Sequence, residues 1–245
     1  MLEGFHALKH ALRFGAEVVD VVAADPAELE LLAAELAPDL AGSLAERVTP
    51  VDAGLLVQIV PHAPRTGVVA IARRPEDVDV ARALADQRAA PMVLLEDPRT
   101  MGNMGACVRV AAAAEAAGVL TTGDNDPWHP EALRGAAGLH FALPVAAIGT
   151  LPTGGDRPLV AIDPEGAALD PSSLSTRAVL AFGSERYGLS AELLDRADER
   201  LAIPMREGVS SLNLATAVAA VLFSQRLESP NAFEPPPPRL RRQGR

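Results

Sequence analysis

Asn103, Arg109, Glu185 and Asn213 are the side chains whose types and surroundings suit them best to chemistry. An amide offers a donor and an acceptor in one group, and a carboxylate accepts a hydrogen bond from a hydroxyl. A guanidinium, protonated under any ordinary condition, can clamp a phosphate through two parallel hydrogen bonds or steady a developing oxyanion. Each residue also has a plainer use: Asn103 and Asn213 as helix caps, Glu185 as a charge at a helix N-terminus, Arg109 as a surface group on an alanine-rich helix. Their setting favours ligand binding. The apolar run 179–182 leads into Gly183-Ser184-Glu185, a second ends at Ile203-Pro204-Met205, and Ser211-Leu212-Asn213 opens a long apolar helix. Two strand ends and one helix start can share one neighbourhood, and carboxyl ends of parallel strands are where α/β sheets bind ligands. Glycine at 183 and 188 allows backbone approach that a Cβ would block.

Three motifs stand in a fixed order between Asn103 and Asn213. Asn103-Met104-Gly105-Ala106-Cys107-Val108-Arg109 has the form Asn-x-Gly-x-x-x-Arg. Gly183-Ser184-Glu185-Arg186-Tyr187-Gly188-Leu189-Ser190 is the second, and Ile203-Pro204-Met205 with Ser211-Leu212-Asn213 is the third. Together they resemble the motifs of the SpoU (TrmH) RNA methyltransferases of the SPOUT superfamily. The resemblance implies an α/β fold, a C-terminal SPOUT domain with a parallel sheet and a deep trefoil knot, working as a homodimer. It also implies S-adenosylmethionine as cofactor and a ribose 2′-hydroxyl of RNA as methyl acceptor. Matched residue by residue, it makes Arg109, Asn103, Glu185 and Asn213 catalytic. Gly183, Ile203, Leu212 and Ser211 become the cofactor-binding residues, adenine being held mainly through backbone groups.

A ribose 2′-hydroxyl is a poor nucleophile at neutral pH, whereas a sulfonium methyl is already activated. The work left for such an enzyme is to align oxygen, carbon and sulfur and to ease loss of the hydroxyl proton. On this reading Arg109 clamps a phosphate or stabilises the oxyanion, Asn103 holds a ribose or positions Arg109, and Glu185 orients Arg109 or accepts a hydroxyl hydrogen bond. Of Ser211 and Asn213, one caps the helix and the other meets substrate or cofactor. Many relatives carry Ser or Thr two residues beyond this Asn; here the position is Ala215. That departure, with a formal charge of −10, leaves open a second class of function, a non-catalytic RNA- or cofactor-binding protein on the same fold.

The elements that must carry these residues follow from periodicity and punctuation. Residues 2–14 read as an amphipathic helix, 16–24 as a buried strand, and Asp25-Pro26 as a helix start. Strands at 47–49 and 66–72 flank a helix at 53–59, and 76–90 read as a polar helical connector. From there the pattern is strand 91–95, a helix from Asn103 through Ala117 stopped by Gly118, strand 119–122, and a turn at 126–130 into a helix ending at Ala136. Strands follow at 140–145 and 159–162, separated by a Gly- and Pro-rich stretch, 146–157, where the family's helix is shortened or missing. Alternating strands and helices predict a parallel sheet covered on both faces. The domains are therefore 1–88, 89–228 and a Pro/Arg-rich tail, 229–245, expected to be extended. The first resembles the small α/β/α accessory module preceding many SpoU catalytic domains, which favours 23S rRNA over tRNA as substrate. Lys9, His10, Arg13, Arg65, Arg73 and Arg74 are its candidate RNA contacts.

Composition sets further bounds. Hydrophobic residues make up 49% but aromatics only 3%, so the core is built from Ala, Val and Leu. No signal-peptide or bilayer-spanning pattern is present, which reads as cytoplasmic, without a membrane partner. The single Cys107 rules out an internal disulfide and reads as packing, and the five histidines (6, 10, 62, 129, 140) read as surface or turn residues without metal-site spacing. No Gly-x-Gly-x-x-Gly dinucleotide signature occurs.

Overall fold

The computed structural model, which describes residues 1–60, 63–75 and 78–228, contains two sheets that share one apolar core. The first consists of β1 (Leu2–Glu3), β2 (Val18–Ala23), β3 (Val48–Pro50) and β4 (Val68–Ala72), in the order β1-β4-β2-β3. It is mixed: β4 runs antiparallel to β1 and β2, while β2 and β3 are parallel. Its connections carry α1 (Phe5–Arg13), α2 (Pro26–Leu36), α3 (Ala41–Ala45) and α4 (Ala53–Ile59). The Asp25 carboxylate accepts from the N–H groups of Ala27 and Glu28, both at 3.0 Å, with Pro26 in the first turn, so α2 begins where capping logic puts it.

The second sheet holds β5 (Met92–Leu95), β6 (Gly118–Thr121), β7 (Val145–Ala147), β8 (Leu159–Ala168), β9 (Val179–Phe182) and β10 (Glu199–Ala202). All neighbours are parallel, in the order β10-β8-β9-β5-β6-β7. Its central strands are continuous apolar runs because both faces are covered. Val93, Leu95, Val119, Leu180 and Phe182 face α6 (Met101–Ala113), α7 (Pro130–Gly135), α9 (Leu214–Glu228) and the first sheet. Met92, Leu94, Leu120, Val179 and Ala181 face the other way, toward α5 (Val80–Ala85) and α8 (Ala191–Arg196). Leu95 pairs with both Phe182 and Thr121, so β5, β9 and β6 end level. The chain runs outward from β5 through β6 to β7 and returns on the far side of β5 as β8 and β9. The strand order therefore reverses between β5 and β9, the place where open α/β sheets hold ligands.

The two sheets are tightly joined. Gly138 has φ 75°, and a Cβ there would run into the carbonyl of Ala7 on α1. His10 Nδ1 donates to Ala137 O at 2.7 Å, and Arg134 Nη1 donates to the buried Glu3 carboxylate at 2.9 Å.

Several sequence-based boundaries are corrected. Leu2 belongs to β1, not to the first helix. Residues 16–24 do not form a fully buried strand, since Val19 is 50% exposed on β2. The motif-one helix ends at Ala113 rather than Ala117, because Glu115 takes a left-handed conformation (φ 57°) and Ala116 N–H folds back to Ala111 O. Arg226 of α9 holds that turn, donating to Ala114 O at 3.0 Å and pairing with Glu115 at 2.6 Å. The strand expected at 140–145 begins only at Val145, as β7: Leu139–Phe141 is a 3-10 turn, apolar because it is buried. His140 is buried there, not at the surface, and donates Nε2–H to Pro127 O at 2.7 Å. The connector is helical only over α5, and no helix forms between β7 and β8, as expected. His62 and the 229–245 tail lie outside the described residues.

Candidate active site

Three loops leave the carboxyl ends of the second sheet: 96–100 after β5, 183–190 after β9 and 203–213 after β10. Each motif lies on or directly after one of them. The first two loops are clamped reciprocally. Glu96 accepts from Ser190 N–H and Ser190 Oγ, both at 2.6 Å, while Glu185 accepts from Arg99 N–H at 3.0 Å. Ser190 closes the second motif, but Glu96 was not singled out in the sequence, although an acidic residue ending a buried strand was a usable signal.

A directed hydrogen-bond chain then links all three motifs. Asn213 Oδ1 accepts from Ala215 N–H at 3.0 Å and caps α9, which leaves its Nδ2 to donate to Asn103 Oδ1 at 3.1 Å. Asn103 must therefore turn its own Nδ2 to Glu185 Oε1, at 2.9 Å. Burial alone would raise the Glu185 carboxyl, but the bonds from Arg99 N–H, Asn103, its own backbone and Thr100 outweigh burial and hold it below the ordinary value. Asn103 is the third residue of α6, whose N-cap is Thr100, so it is a link between motifs and not a cap. Within the chain Glu185 bonds Asn103 and the 96–100 loop and makes no hydrogen bond to Arg109.

Arg109 stands apart. Six residues beyond Asn103 on one helix, it lies about 9 Å further along the axis and about 240° around it. It is exposed, and its guanidinium has no hydrogen bond or ion pair among the described residues. The neighbouring titratable group is His6 of α1, whose imidazole is held below its ordinary value by burial, Lys9 and Arg109.

The residues expected to bind the donor suit recognition through backbone. The main-chain N–H and C=O groups of Gly183, Ile203 and Leu212 have no hydrogen bond among the described residues. Ile203 is partly buried, while Ser211 is exposed and Leu212 is 39% exposed. Asn213, not Ser211, is the cap. Gly183 has a role the sequence did not show: a Cβ there would collide with Gly188 C and Leu189 N, so the loop folds onto itself at that point. Ser184 and Gly188 exchange backbone bonds of 3.1 and 3.0 Å, and Gly188 takes φ 69°. Cys107 is buried, and burial with the nearby Glu185 pushes its thiol up to about 12, which fits packing and excludes a thiolate role at neutral pH. Among the described residues no cluster of His, Cys, Asp and Glu could hold a metal ion, and no helix is long and apolar enough to cross a membrane.

The SpoU rRNA Methylase family matches residues 90–223. Over 215 residues the chain is 34% identical to an uncharacterized tRNA/rRNA methyltransferase of Mycobacterium bovis, covering 82% of this chain and 73% of that one. It is 27% identical over 240 residues to the 23S rRNA (guanosine(2553)-2′-O)-methyltransferase RlmP of Bacillus subtilis, covering 92% and 88%. An AdoMet-bound rRNA methyltransferase from Sinorhizobium meliloti superposes with a TM-score of 0.69 at 27% identity, over 92% of this chain and 85% of that one.

Proposed function

The chain belongs to the SpoU rRNA methylase family, and on that premise we propose that it transfers a methyl group from S-adenosylmethionine to a ribose 2′-hydroxyl of RNA, with 23S rRNA as the substrate. The observation that carries this reading is the convergence of all three motifs at the sheet's reversal point, with the backbone of Gly183, Ile203 and Leu212 unpaired among the described residues. Those backbone groups would hold the donor, which supplies an activated methyl carbon when bound. Glu185, ionised and fixed by Asn103 and Arg99, offers an acceptor for the ribose hydroxyl. The Arg109 guanidinium, with no partner to neutralise it among the described residues, binds the adjoining phosphate and stabilises the oxygen as charge develops.

Because Arg109 points away from the Asn103–Glu185 pair, the site is completed by Arg109 of a second copy in a homodimer. Support comes from α9, which exposes Phe223 (36%) and Leu227 (79%) along the stripe that also carries Thr216 and Ala220. The catalytic unit, 89–228, carries a trefoil knot on this reading: β10 lies at one edge of the sheet, yet the following α9 returns to pack on α6. Residues 1–88 serve as the accessory RNA-binding unit, and the enzyme works in the cytoplasm. Of the candidate contacts there, Arg13, Arg73 and Arg74 already pair with Asp39, Glu17 and Asp126, whereas Lys9 and Arg65 form no ion pair among the described residues. Calorimetric titration with S-adenosylmethionine, followed by mapping of ribose methylation on 23S rRNA incubated with the chain, tests the proposal. Donor binding without transfer to any RNA would favour the non-catalytic reading instead.

A further inference from the structure

Tyr187 is 70% exposed, while Phe5, Trp128, Phe141 and Phe182 are buried and Phe223 is 36% exposed. It is the most exposed aromatic ring among the described residues, and it sits two residues from Glu185. Its backbone is held in place: Tyr187 N–H donates to Ser184 Oγ at 3.2 Å, within a loop closed by the Ser184–Gly188 bonds and tied down by Glu96. The Arg186 guanidinium lies 5.2 Å from the ring centroid, placing a cation over one side of the ring. A ring so placed contributes nothing to the core, and its face is open beside the carboxyl ends of the sheet. An arginine beside an open aromatic face, two residues from the carboxylate placed against the ribose, suits a base and its phosphate.

We propose that Arg186 and Tyr187 form a stacking platform for an unpaired nucleobase of the RNA substrate, adjoining the ribose that receives the methyl group. The proposal rests on the methyltransferase reading and adds a residue-level basis for substrate selection to it. Stacking tolerates any base, so the platform selects an unstacked nucleotide over a paired one rather than a sequence.

The test uses the full chain and deproteinised 23S rRNA, with donor affinity by calorimetry and steady-state transfer on the same variants. Tyr187→Leu, which keeps apolar bulk but removes the π face, should raise the KM for RNA about tenfold or more, and Tyr187→Phe should retain most of the affinity. Donor affinity should stay within about twofold in both, since the ring is placed against RNA and not against the donor. An unchanged RNA KM in Tyr187→Leu would overturn the platform, as would donor affinity lost in parallel with RNA affinity. Dissociation of Tyr187→Ala into monomers would overturn it too, assigning the ring to the contact between copies. Absence of transfer by the wild-type chain is a distinct result that sinks the methyltransferase reading and the platform with it.

Discussion

Removing the Arg109 guanidinium should separate transition-state work from donor binding, because the residue is remote from Gly183, Ile203 and Leu212 along the chain and on a different face of α6 from Asn103. In Arg109→Ala, S-adenosylmethionine affinity should stay near wild type while single-turnover transfer falls about a hundredfold or more. Arg109→Lys should rescue poorly, since an ammonium keeps the charge but loses the planar fork. Transfer at the wild-type rate in Arg109→Ala would rule out the role assigned to it. His140 makes a different prediction, about stability. Burial depresses its imidazole from 6.5 to about 4, while the bond to Pro127 O opposes that shift without reversing it. The unfolded chain therefore takes up a proton before the folded one does, and stability should fall as pH drops from about 6.5 toward 4, by about 3 kcal/mol in all. Urea midpoints across that window should slope in wild type and flatten in His140→Phe. That Asn103, Glu185 and Asn213 meet was legible because each stands in one of three ordered motifs. That Asn103 and Arg109 face apart was legible too, since a spacing of six puts them on different sides of a helix. The Glu96–Ser190 clamp was not, because it joins residues 94 positions apart and nothing in either segment names the other as its partner.

At the scale of elements, the 183–190 loop is the part with least slack. Gly183→Val should abolish measurable donor binding and lower the thermal midpoint as well, because its Cβ meets the loop's own backbone and not merely the space a ligand would occupy. Gly188 has open space around it but a φ of 69°, so Gly188→Ala should cost only about 1 kcal/mol and leave donor binding detectable. A Gly183→Val protein with a wild-type midpoint and normal donor affinity would contradict that account. Elements whose ends are set by local chemistry were read well: α4 and β9 fall where capping and the buried apolar run place them. Elements ended by tertiary contacts were not. The left-handed turn at Glu115 is secured by Arg226 from a helix more than a hundred residues away, and the 139–141 turn by α1 packing on Gly138. Neither partner is visible in the segment it shapes.

For the whole molecule, the decisive question is whether one chain holds a complete site. Two parts of the machinery are separable by variants on exposed side chains: Arg109→Ala removes the guanidinium, and Glu185→Ala removes the carboxylate of the same chain's motif two. If Arg109 acts within its own chain, a mixed dimer of the two variants has no intact site, because one chain lacks the guanidinium and the other lacks the carboxylate. If Arg109 serves the second copy, the chain carrying Arg109→Ala keeps its own Glu185 and receives Arg109 from its partner, so each mixed dimer regains one site. Random pairing of equal amounts makes half of the dimers mixed, each with one working site of two. Co-expressed variants should then recover about a quarter of the wild-type rate, while each variant alone stays near background. Sedimentation should report a dimer in every sample. Recovery no better than the sum of the separate variants would place Arg109 in cis and require α6 to bend its own arginine toward Glu185. A monomer at micromolar concentration would remove the trans arrangement altogether, leaving the exposed α9 stripe without a role.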